Sequence, residues 1–90
     1  METMIADPNE TLTPRQIELL ALYASGKELR EIAAIKFLSY SAVQQCLATA
    51  RERMGGVTLT QLCVLCVEAG VIRRNGNGFK PVQDERVIGE

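Results

Sequence analysis

The sequence predicts an all-α domain, a four-helix bundle-like arrangement followed by an irregular C-terminal tail. Three observations carry that expectation. Aromatic residues make up only 4% of the chain while Leu, Ile, Val and Ala dominate, a mix that suits packed helices better than a sheet. Thr13, Ser39 and Thr58 each stand just before an apolar run at helical spacing. After Ile72 the character shifts to Gly, Asn and charge.

The first helix opens at "TPRQ". Thr13 suits the N-cap, Pro14 the first helical position, and Gln16 completes a capping box. Ile17, Leu20 and Ala24 recur at helical spacing, Leu19, Leu22 and Tyr23 widen the stripe, and Gly26 is a natural stop. The second helix is short, residues 28–36, with Leu29, Ile32 and Ala33 pointing inward. "KFLS" breaks the pattern, and Ser39 caps a third helix whose Val43, Leu47, Ala50 and Met54 form one core face before Gly55-Gly56 ends it. A fourth helix opens at "TLTQ" with a second capping-box spacing, Thr58 to Gln61, and closes at Gly70. Seven of the nine residues 59–67 are apolar. A terminal helix on a small domain does not bury all of that alone, so part of it is expected to meet a second subunit or another domain.

Residues 73–90 read as an irregular or flexible tail. Asn75-Gly76 and Asn77-Gly78 are turn signals and Pro81 discourages a helix. A turn here can pin Phe79 or Val82 onto the domain. Residues 1–11 form a short acidic arm carrying Glu2, Asp7 and Glu10.

At 90 residues the chain has room for one domain. Its 47% apolar content excludes a disordered tail, and no apolar run approaches the roughly 20 residues of a membrane span. The start "METMIADPNE" has acids where a signal peptide has a basic region. The expected compartment is therefore the cytoplasm, where the three cysteines stay thiols. Net charge is −1, carried by the arm, and residues 12–72 hold six basic against five acidic groups. Nucleic-acid affinity would need those basic groups clustered.

"CVLC" at 63–66 has formal C-x-x-C spacing. It lies in an apolar helix, the chain has no histidine, and Cys46 is the one other thiol, so packing is the better reading and no metal or cofactor is expected. Neither a serine with a nearby base nor a phosphate-cradling glycine loop is visible, so no enzyme is expected.

Taken in order, "LTPRQIELLALYASG" (12–26), "REIA" (30–33), Ser39, Val43 and Leu47, then Gly55, Thr58 and "VEAGVI" (67–72) resemble the LuxR/GerE-type helix-turn-helix domain of bacterial regulators. The likeness runs without a gap over residues 12–72. In pattern the promoter-reading domain of sigma factors is related, and "TARERM" (49–54) is similar to the end of its recognition helix; the long apolar fourth helix favours the LuxR type. The resemblance implies a helix-turn-helix in which the third helix lies in the major groove of double-stranded DNA. It also implies a homodimer through the fourth helix, with Leu62, Leu65, Cys66 and Ala69 at the interface.

On a wheel centred on Val43 the opposite side carries Ser41, Gln45, Ala48 and Glu52, flanked by Gln44 and Arg51 on one edge and Ala42 and Thr49 on the other. Glutamine pairs with adenine, and Ala and Thr methyls contact the thymine methyl, so an uncharged helix can still read A·T pairs. Ser41, Ala42, Gln44, Gln45 and Ala48 are the candidate base contacts. Arg51, Arg30 and Lys36 are candidate phosphate contacts, Arg51 and Arg30 because the matching family positions face the backbone; Arg15, Lys27, Arg53, Arg73 and Arg74 are further sources of charge.

The chain departs from the family pattern at Gln44 and Ala48, where Lys or Arg is usual, and at Cys46, often histidine. Lys36 replaces an apolar residue and Phe37 replaces the glycine of the turn. Two readings follow. One is a small transcription regulator, stand-alone or a piece of a longer one, that binds DNA. The other is a protein interaction module of the same fold that holds RNA polymerase, a sigma factor or another regulator.

Overall fold

The computed structural model describes residues 7–82. Five helices and one hairpin follow in order: α1 (Pro8–Thr11), α2 (Pro14–Ala24), α3 (Leu29–Lys36), α4 (Tyr40–Arg53), α5 (Leu59–Glu68), β1 (Ile72–Asn75) and β2 (Gly78–Pro81). The domain is mostly helical but not all-α. The four-helix expectation is corrected at both ends.

At the N-terminal end, residues 1–6 of the acidic arm lie outside the described residues. The rest is a single turn of helix. The Asp7 carboxylate accepts from the Asn9 N–H at 3.0 Å, and Pro8 and Leu12 are buried. At the other end, residues 72–81 form an antiparallel two-stranded sheet with Ile72 opposite Pro81 and Asn75 opposite Gly78. Gly76, at φ +65°, takes the first position of the two-residue loop. A left-handed first residue matches the turn to the twist of the flanking strands, and glycine supplies it without steric cost. Pro81 ends its strand, where a missing N–H removes little pairing. Residues 83–90 lie outside the described residues.

The caps sit where the sequence places them. Thr13 Oγ1 accepts from the Gln16 N–H at 3.1 Å while Gln16 Oε1 accepts from the Thr13 N–H at 2.9 Å. Thr58 and Gln61 repeat the box, and Ser39 Oγ accepts from the Ala42 N–H at 3.0 Å. Each satisfies amide groups that the first helical turn leaves without partners.

Helix α2 is the centre of the domain, and α3, α4, α5 and both strands pack on it. Ile17, Leu19 and Leu20 meet Ile32, Val43, Leu47, Ala50, Leu62, Cys66, Val71 and Ile72 in one core. The hairpin is fastened to α2 by Ser25. Its Oγ accepts from the Phe79 N–H at 2.7 Å and donates to the Ala21 carbonyl at 2.8 Å. Gly78 fits only without a side chain, because a Cβ there would stand 2.8 Å from Ser25 Oγ.

Candidate nucleic-acid interface

Helices α3 and α4 are joined through residues 37–39. Glu31 Oε1 accepts from the Glu28 N–H at 2.8 Å and starts α3. At its other end Phe37 adopts the left-handed conformation, φ 58° and ψ 43°, and the Leu38 N–H returns to the Ala33 carbonyl at 2.8 Å. That reversal ends one helix and lets Ser39 start the next within two residues.

Helix α4 then divides cleanly. Val43, Leu47 and Ala50 are buried against α2 and α3. Ser41, Ala42, Gln44 and Gln45 are exposed, and Ala48 is half-buried. The uncharged candidate base contacts therefore share one outer side, with Ala48 at its margin. Gln44, Ala48 and Arg51 border a shallow depression with Leu29, Leu47 and Leu59.

The candidate phosphate contacts are all engaged within the chain. Arg51 is half-buried and its Nε–H donates to the Val57 carbonyl at 2.7 Å, tying the end of α4 to the loop that enters α5. A guanidinium carries five donors, so the Nη groups keep capacity for another acceptor. Arg30 is exposed, with its guanidinium 5.0 Å from the centre of the Tyr40 ring, an arrangement that attracts a cation to an aromatic face. Lys36 Nζ stands 3.0 Å from Glu18 Oε1, so part of its charge is already answered. Of the further cations, Arg15 lies close enough to Cys46 for its charge to act on that thiol. Burial pushes the Cys46 pKa up and Arg15 draws it back. Arg74 lies over the Phe79 ring at 5.6 Å, and Arg73 pairs across the hairpin with Lys80.

The expected dimer residues separate into two groups. Leu62 and Cys66 are at 0% exposure inside the chain's own core and present no surface to a second subunit. Leu65 is half-buried and Ala69 exposed. The apolar side that α5 leaves open is instead Val64 and Val67, at 50% and 44% exposure. They border a groove with Tyr23, Ala24, Cys63 and Phe79. Burial pushes the Cys63 and Cys66 thiols up to about 11, so at neutral pH both are protonated, and Cys66 packs in the core.

Two exposed aromatic residues beside this unit, Phe37 and Tyr40, are not among the candidates that the sequence singles out. Tyr40 offers only an aromatic side chain after a helix cap. Phe37 offers a stronger signal, a bulky residue at a turn that favours glycine.

No helix among the described residues is long and apolar enough to cross a membrane. No family model and no solved structure matches the chain. The chain spans about a quarter of the length of the curated relative it matches. Over 65 residues, 72% of this chain and 27% of that protein, it is 31% identical to the transcriptional activator protein BjaR1 of Bradyrhizobium diazoefficiens.

Proposed function

We propose that the chain is the DNA-binding part of a cytoplasmic transcription regulator of LuxR type, reading duplex DNA with α4 and pairing as a homodimer through α5. The observation that carries the reading is the α3–turn–α4 unit, whose second helix buries one side and exposes Ser41, Ala42, Gln44 and Gln45 on the other. Likeness to a transcriptional activator supports it. Residues 12–72 are the reading unit, with the hairpin clasped onto α2.

In this reading the exposed glutamines contact adenine edges and the alanine methyls contact thymine. Arg15, Arg30 and Arg51 supply phosphate contacts from the flanks, and Lys36 does so where it leaves Glu18. Val64 and Val67, with Leu65 and Ala69 beside them, form the dimer surface in place of Leu62 and Cys66.

The test is fluorescence anisotropy with random and A·T-rich duplexes across salt. Three phosphate contacts per chain, six in the dimer, give a slope of about −5 in log affinity against log salt. Absence of binding at low salt removes the reading.

A second reading, a protein interaction module, is favoured by the net charge of −1 together with the exposed Val64 and Val67. It predicts a flat salt response with duplex DNA and a complex with RNA polymerase, a sigma factor or another regulator that Val67→Glu breaks.

A further inference from the structure

Phe37 is 94% exposed, the most exposed large apolar side chain among the described residues. It is also the one non-glycine residue among them with positive φ. A bulky side chain in that conformation is an outlier, whereas glycine adopts it without steric cost. The turn itself does not need the ring, because Leu38 and Ala33 close it through their backbones. The fold therefore holds a strained aromatic residue whose side chain buries almost nothing.

Its position says what it is held for. Phe37 stands two residues before the Ser39 cap, so it marks the end of α4 where Ser41, Ala42, Gln44 and Gln45 are exposed. In a helix-turn-helix it is the N-terminal residues of the second helix that reach base edges. Two cations belong to this corner: Lys36, which precedes Phe37 and is ion-paired with Glu18 at 3.0 Å, and Arg30, which sits over Tyr40, the first residue of α4. An exposed apolar ring at the start of the uncharged side of α4, with the Arg30 guanidinium held at Tyr40, fits a surface where methyl groups lie beside phosphates.

We propose that Phe37 is a specificity-determining residue that contacts the 5-methyl group of a thymine at the edge of the major groove. Apolar contact with that methyl, phenylalanine included, is one of the ways a protein distinguishes thymine. The inference rests on the DNA-binding reading above and adds to it a base contact outside α4.

The experiment uses the full chain and the tightest duplex that it recovers from a random pool. Phe37→Gly and Phe37→Asn relieve the left-handed strain, so both variants are expected to melt about 2–5 °C higher than the wild type, which also shows that they fold. Both are expected to bind that duplex about three- to tenfold more weakly, the scale of one or two buried methyl groups. Replacing thymines one at a time by deoxyuridine removes the methyl alone. At one position it is expected to weaken the wild type about threefold or more and leave Phe37→Gly unchanged.

Equal affinity of wild type and variants overturns the proposal, as do parallel losses at every thymine. A variant that changes only self-association in sedimentation places Phe37 at a protein contact and also overturns it. A wild type that binds no duplex fails the underlying reading itself, a result separate from these.

Discussion

Ser25→Ala tests whether the hairpin is part of the domain or an appendage to it. An isolated two-stranded hairpin is marginally stable in water, so β1 and β2 persist through what they touch. The hydroxyl of Ser25 accepts from the Phe79 N–H at 2.7 Å and donates to the Ala21 carbonyl at 2.8 Å, with the Phe79 carbonyl also within reach at 3.3 Å. Removing it leaves the Phe79 amide, half-buried against α2, without that acceptor. Stranding such a donor costs about 1–2 kcal/mol, or roughly 5–10 °C in Tm for a domain of this size. Urea denaturation reads the first quantity, and hydrogen exchange at the Phe79 amide reads the local one. Gly78→Ala should cost a similar amount, since its Cβ would stand 2.8 Å from Ser25 Oγ and 3.2 Å from Ser25 Cβ. In the double variant the closer clash disappears and the other remains, so the combined loss should fall short of the sum by about 0.5–1 kcal/mol. Unchanged exchange at Phe79 in Ser25→Ala, or strict additivity, would refute this account of the clasp.

Two further outcomes follow from burial. Leu62→Ala should destabilise the isolated chain by about 2–5 kcal/mol in chemical denaturation, because Leu62 is at 0% exposure in the core, whereas Val64→Glu should leave folding intact and lower only self-association. The raised thiols give a pH dependence with a definite sign. Cys63 and Cys66 keep their protons to about 11 when folded against an ordinary value of 9.0, so stability is fully present below pH 9 and falls between pH 9 and pH 11. Cys63→Ala/Cys66→Ala should flatten that decline in melts across the range.

What the sequence made legible was local. Thr13 with Gln16 and Thr58 with Gln61 announce helix starts because both partners of each cap lie within three residues. The core face of α4 is equally plain, since Val43, Leu47 and Ala50 recur with the helical period and all three are buried. The hairpin was not legible to the same degree. Asn75-Gly76 is a hairpin turn signal, but strands of four residues containing three cations and a proline carry little pattern. Pairing is decided by contact with α2, and Ser25 and Phe79 are 54 positions apart. Helix α5 failed in another way. With apolar residues nearly all round, periodicity cannot say which side faces in, and so Leu62 and Cys66 read as interface residues when the core claims them.

The outer side of α4 is uncharged from Ser41 to Ala48, ahead of the exposed Glu52, and it gains meaning from where the fold puts its cations. A long side chain that must be ordered on binding loses rotamer freedom, so a cation already held makes a less costly contact. Arg51 is held by the Val57 carbonyl and Arg30 by the Tyr40 ring, both at the margins of the helix rather than on its outer side. On the proposed reading, affinity then comes from a few pre-positioned flanking charges, while discrimination comes from Gln44, Gln45 and the apolar groups. Such a division sets a low ceiling on binding without sequence match, because the side that meets the bases adds almost no charge of its own. It also makes the corner at Phe37 consequential. Where the recognition helix offers only hydrogen bonds and methyl groups, one well-placed apolar contact is a large share of what separates a matched site from any other.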